Sequence, residues 1–187
     1  MDERISLRQS NKGFTLVELC VVLVLLSVLI TITTMGLLTW QEYSTQTKQD
    51  ENAELVYMAM KNKTAVLKKN KALKEFLPQN DTDNWMVCSS GDYEVYKAKT
   101  YDKHNVPKYK ILFDMLVPYI YDKGLLDACI AVEYNAEGEI IAVLYSDRCD
   151  KFIASTGTSS ESNVYIKSII NDSAARNKLL VGCYKPD

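Results

Sequence analysis

A single carboxylate, Glu18, stands in a stretch that is otherwise apolar, small or hydroxylic from Phe14 to Trp40. A charge at full depth in hydrocarbon costs on the order of 2.5–3.5 kcal/mol, so an acid placed there asks for a function. The chemistry open to it is pairing with a cation. The plain alternative is an acid at the headgroup level, where it costs little. No other residue pattern carries a reaction. GxSxG, HExxH and a phosphate-cradling glycine loop are all missing, and the seven glycines are scattered. His104 has neither a spaced nucleophile nor a metal companion and reads as a loop histidine. Asn80 to Asn84 alternates amides and carboxylates like a calcium loop but lacks the central Gly and terminal Glu, so it reads as a helix stop. No enzyme activity, cofactor or metal site is expected.

Leu19 to Trp40 must position Glu18. These 22 residues hold no charge and as a helix reach roughly 33 Å, enough to cross a ~30 Å hydrocarbon core. A secretory signal would be shorter and cut after its apolar core. Here the small-residue cut candidate, Gly13, comes before it. Arg4, Arg8 and Lys12 precede the span and the first basic residue beyond it is Lys48, which places the amino terminus in the cytoplasm and the rest outside.

Lys12-Gly13-Phe14-Thr15-Leu16-Val17-Glu18 resembles the processing motif of type IV prepilins and type II secretion pseudopilins, and the resemblance covers roughly residues 4–45. It implies a leader, 1–13, removed by a prepilin peptidase between Gly13 and Phe14. It also implies N-methylation of Phe14, and polymerisation with other copies and minor pilins by an assembly platform and its ATPase. Many members carry a helix-kinking proline in the apolar segment; this chain has Met35-Gly36. By this resemblance Glu18 sets filament register: it would neutralise the Phe14 amine of a neighbouring copy, because leaving either charge buried alone costs about 3–5 kcal/mol. A pair within one subunit is the other arrangement. The alternatives to a filament subunit are a signal-anchored binding module outside the membrane and a low-copy adhesive or initiating minor pilin.

The whole chain carries a charge of −2, and removing a leader with three basic and two acidic side chains leaves −3, so nothing calls for a nucleic-acid partner. After the span of 14–40, a helix is expected to continue over 41–78. Val56, Ala59, Met60, Val66, Leu67, Leu73 and Leu77 form its buried stripe, with a break near Lys69-Asn70. The lysines at 61–74 have no interleaved aromatics and read as a solvated face. The head, 79–187, is expected to hold a strand or irregular segment at 85–97 and a helix over Tyr109–Tyr121, with Pro107 suited to its first turn and Pro118 kinking or ending it. A hairpin of 129–134 and 139–145 turns at Asn135–Gly138. A surface loop at 155–163, a helix at 164–178 and a last strand or tail at 179–184 complete it. A long helix packed on a small antiparallel sheet is an α+β fold, which is also the pilin-like architecture the resemblance implies. Cys20 lies in the membrane helix as a packing residue. Cys88, Cys129, Cys149 and Cys183 fall outside, where two disulfides are allowed; Cys129–Cys149 with Cys88–Cys183 is the favoured pairing, and free thiols are the rival.

Overall fold

The structure, a computed structural model, describes residues 14–76, 85–101, 107–135, 137–149 and 166–186. Gly13 and the leader, Leu77, Asn80–Asn84, His104 and the loop at 155–163 lie outside the described residues. The chain divides into two compact units, residues 1–41 and 42–187. A long helix, α1 (Leu16–Lys69), supplies described residues to both.

In the first unit α1 is apolar and fully exposed, and it is long and apolar enough to cross a membrane. Its hydroxyls do not work against that. Ser27, Thr31, Thr33, Thr34 and Thr39 each donate to a carbonyl one turn back, at 2.7–3.1 Å. Each polar group is therefore satisfied inside the helix, which hydrocarbon demands.

In the second unit α1 buries Gln49, Ala53, Val56, Tyr57, Met60, Thr64 and Leu67, one face at spacings of three and four. Val66, expected on that face, is exposed, because Thr64 and Leu67 occupy the inward positions of that turn. The helix ends at Lys69 in a Schellman motif. Lys71 takes φ 57°, its N–H donates to the Lys68 carbonyl and that of Ala72 to the Leu67 carbonyl. A short α2 (Leu73–Phe76) follows.

The sheet is an antiparallel meander of β1 (Trp85–Cys88), β2 (Cys129–Tyr134), β3 (Ile140–Ser146) and β4 (Gly182–Tyr184), in that spatial order. Between β1 and β2 lie α3 (Asp92–Ala98), α4 (Lys108–Leu116) and α5 (Lys123–Leu126). Residues 166–171 are helical (α6) and α7 (Ser173–Leu179) leads into β4. The segment at 85–97 is thus half strand and half helix, and Asp172 divides the helix expected over 164–178. Its carboxylate accepts from the N–H groups of Ala174 and Ala175, capping α7.

Both sheet faces are covered. Met86, Ile130, Val132, Val143 and Tyr145 meet α1, α4 and α5 on one side. Trp85, Ala131, Ala142 and Leu144 meet Ile166, Ile169 and Ile170 on the other. This is why β2 and β3 read as continuous apolar runs instead of alternating ones. The hairpin turn is built by Asn135, whose Oδ1 accepts from the N–H groups of Glu137 and Glu139 while Gly138 takes φ 73°.

Burial, then a hydrogen bond to Asp114, pushes the Tyr96 phenol up to about 12; burial and the charge of Asp147 do the same for Tyr145. An unfolded tyrosine ionises near ~10. The folded state therefore holds protons that the unfolded state releases, and this contribution is complete below pH ~10 and lost as pH rises toward ~12. Near-UV dichroism, followed up to pH 12, should be lost in one transition above pH ~10. Tyr145→Phe should move that transition to higher pH.

Candidate functional site: the amino-terminal segment and its acid

Thr15 precedes the first residue of α1 and Glu18 is the third within it, the spacing of a capping box. The geometry is reciprocal. Glu18 Oε2 accepts from the Thr15 backbone N–H at 2.8 Å and from Thr15 Oγ1 at 2.9 Å. The Glu18 N–H donates to Thr15 Oγ1 at 3.2 Å. The acid thus sits at the positive end of a 54-residue helix, where a negative charge is favoured with or without a second chain. Thr-x-x-Glu ahead of an apolar run carries this signal in the sequence, and the sequence reading passed over it. The hydrogen bonds to the carboxylate fall on Oε2, and Oε1 has no hydrogen-bond partner among the described residues. Phe14 is 84 % exposed beside it.

The cysteines separate by strand. Cys129 and Cys149 are joined by a disulfide with Cα atoms 5.5 Å apart. Cys20, Cys88 and Cys183 are thiols. The expected Cys88–Cys183 pair is not formed, for a topological reason. β1 and β4 are the two edges of the sheet, about 14 Å apart at ~4.8 Å per strand. Cys88 moreover packs on the α1 face and Cys183 on the α6 face. Burial raises the Cys88 thiol far above the ordinary range and raises that of Cys183, so both resist forming the thiolate that exchange requires. Reduction of Cys129–Cys149, or Cys149→Ser, should cost about 2–4 kcal/mol for a loop of this length. Thermal melts with and without reductant measure it, and the serine variant should be indifferent to reductant.

Among the described residues no group of three or more His, Cys, Asp or Glu side chains could hold a metal ion. The described lysines of α1 are exposed or half-buried, Lys68 meeting Glu139 at 3.6 Å.

Residues 8–34 match the family model for the prokaryotic N-terminal methylation motif. The matched stretch holds the Gly13-Phe14 junction, the Thr15–Glu18 box and the first half of the membrane-length segment. A search of curated proteins finds no match to the chain, and a search of solved structures finds none. The chain therefore carries, over residues 8–34, the prokaryotic N-terminal methylation motif, and in that stretch it is similar to type IV prepilins and pseudopilins.

Proposed function

We propose that this chain is a structural subunit of a type IV pilus or a type II secretion-like pseudopilus. A prepilin peptidase cuts it after Gly13, Phe14 is N-methylated, and the trimmed chain waits in the membrane through residues 14–40. An ATP-driven platform then moves it into a filament with other copies and minor pilins. The same apolar helix surface serves lipid and neighbouring helices, so the transfer changes little hydrophobic energy and the motor supplies direction. The observation that carries the reading is a capped Glu18 whose Oε1 stays open at the start of a charge-free, exposed helix. Oε1 is the oxygen that takes the Phe14 ammonium of a neighbouring copy and so selects one axial stagger. Arg4, Arg8 and Lys12 keep the amino terminus in the cytoplasm. The Cys129–Cys149 disulfide suits a head held in an oxidising space outside.

Mass spectrometry of the membrane-extracted chain tests the processing. The expected product begins at N-methylated Phe14 when a prepilin peptidase is present and retains the leader when it is absent. A Met1 or Ser6 start in the presence of the peptidase overturns the reading in favour of an uncut anchor carrying a binding module. Copy number in purified filaments then separates a major subunit from a low-copy one.

A further inference from the structure

A groove of about 310 Å³ is bounded by α3, the residues just after it and α4, a volume in the range of small-molecule sites. Half of the twelve tyrosines of the chain fall between residues 93 and 121, and Tyr93, Tyr96 and Tyr101 line this groove. Tyr93 and Tyr96 lean on buried Phe113, with ring centres 5.4 and 5.3 Å away. Tyr101 belongs to no such packing. It is half-buried, yet it meets no other ring and no hydrogen-bond partner among the described residues. Its ring is also outside the core cluster that holds the other two.

The fixed polar group of the groove is Asp114. Its Oδ1 accepts from the Tyr96 hydroxyl at 2.9 Å, and its Oδ2 accepts from Lys110 one turn back. A carboxylate has about four acceptor positions, so one on each oxygen is left. The side chain is 27 % exposed, which puts those positions within reach of a ligand.

That held acceptor selects the ligand. An anion would face the Asp114 charge with no proton to give it. An ammonium would meet Lys110 and the rim lysines Lys97 and Lys99. A bare apolar ring would strip the carboxylate of water and offer no hydrogen bond in return. A neutral molecule with adjacent hydroxyls and an apolar face meets all three conditions. A hexopyranose is such a molecule: its hydroxyls stand at the rim, and its axial C–H bonds make a flat face that rests on an aromatic ring.

We propose that this groove binds a neutral hexose unit of an oligosaccharide. Two adjacent hydroxyls donate to the Asp114 carboxylate, and the C–H face lies on Tyr101 with Tyr93 and Tyr96 beside it. An ionised acceptor makes such hydrogen bonds stronger than neutral ones. The proposal stands apart from filament assembly, because none of these residues belongs to the segment 14–40.

NMR of the full-length chain in detergent, with isotope-labelled tyrosine rings and valine methyls, reads the groove through Tyr93, Tyr101 and Val117. Titration with the methyl β-glycosides of glucose, galactose and mannose should give saturable shifts there with at least one of the three. Tetrahydropyran, which keeps the ring and removes the hydroxyls, should bind at least tenfold more weakly than that glycoside. Asp114→Asn should weaken the glycoside at least tenfold. Tyr101→Ala should do the same with an unchanged melting temperature, and Tyr101→Phe should bind like the parent, a pattern that a ring serving only the fold would not give. No shift with any of the three glycosides, equal affinity for tetrahydropyran, or undiminished binding in Asp114→Asn or Tyr101→Ala would each overturn the proposal. So would saturation of the same signals by choline or by hexathymidylate while the glycosides are inert, which would give the groove to an ammonium or a nucleic acid.

Discussion

Gly182→Val is expected to unfold the outer unit under conditions where the parent chain is fully folded. A Cβ at Gly182 would stand 2.0 Å from the Gln49 carbonyl oxygen, 2.1 Å from its carbon and 2.6 Å from the Asp50 nitrogen. All three are backbone atoms of a helix and none can turn aside. Relief requires α1 and β4 to separate, which breaks a set of polar contacts made at this approach. Gln46 Nε2 donates to the Val181 carbonyl at 2.9 Å, the Cys183 N–H donates to Asp50 Oδ1 at 2.9 Å, and the Asp147 N–H donates to Gln49 Oε1 at 3.3 Å. Gln49 is 1 % exposed, so its polar groups would be stranded in the core. We expect a loss above ~4 kcal/mol, a large part of the ~5–15 kcal/mol that holds a domain together. Denaturant titration followed by the near-UV dichroism of buried Trp85 measures it. Gly36→Ala is the control: nothing lies within 4 Å of its added methyl, and alanine favours a helix interior by ~1 kcal/mol. A Gly182→Val chain as stable as the parent would mean that α1 and β4 do not meet as described.

Glu18→Gln is expected to abolish filaments while leaving trimming intact. The capping geometry offers a sharper variant than alanine, because glutamine at the same helical position can still accept from Thr15. If Glu18 served only its own helix, Glu18→Gln would assemble normally and Thr15→Val, which removes the hydroxyl of the box, would be the damaging change, by ~1 kcal/mol. If the carboxylate pairs with the Phe14 ammonium of another copy, glutamine leaves that ammonium buried and unmatched at about 3–5 kcal/mol per contact. A deficit of that size lowers assembly at least ~100-fold. Sheared-filament yield against trimmed protein in the membrane separates the cases. Normal filaments from Glu18→Gln would reject the intersubunit role and leave the cap as the function of the acid.

Much of the architecture was legible because it rests on local chemistry. Pro107 and Pro118 bracket α4, with Pro107 as the residue before its first turn. The hairpin turn follows from Asn135 and Gly138 and their backbone requirements. The spacing of Val56, Ala59, Met60 and Leu67 marks the inward face of α1 because a helix period is a property of the chain itself. Other features left no local mark. Three helices end on left-handed residues that are not glycine, Lys71, Lys99 and Leu180, where tertiary packing overrides a conformation that costs ~1–2 kcal/mol. The helix α3 was hidden behind Ser89-Ser90-Gly91-Asp92, which reads as turn chemistry; Gly91 and Asp92 instead start the helix, and the Asp92 carboxylate accepts from the Ser89 N–H.

The membrane-length segment, the Gly13-Phe14 junction and the position of Glu18 were determined by the sequence alone, since hydropathy, charge and motif spacing are read along one dimension. Which cysteines can meet and why Gly182 admits no side chain were decided only by the tertiary structure. Each depends on which strand lies at an edge and which turn of α1 it faces. These are distances across the fold, and no spacing along the chain encodes them.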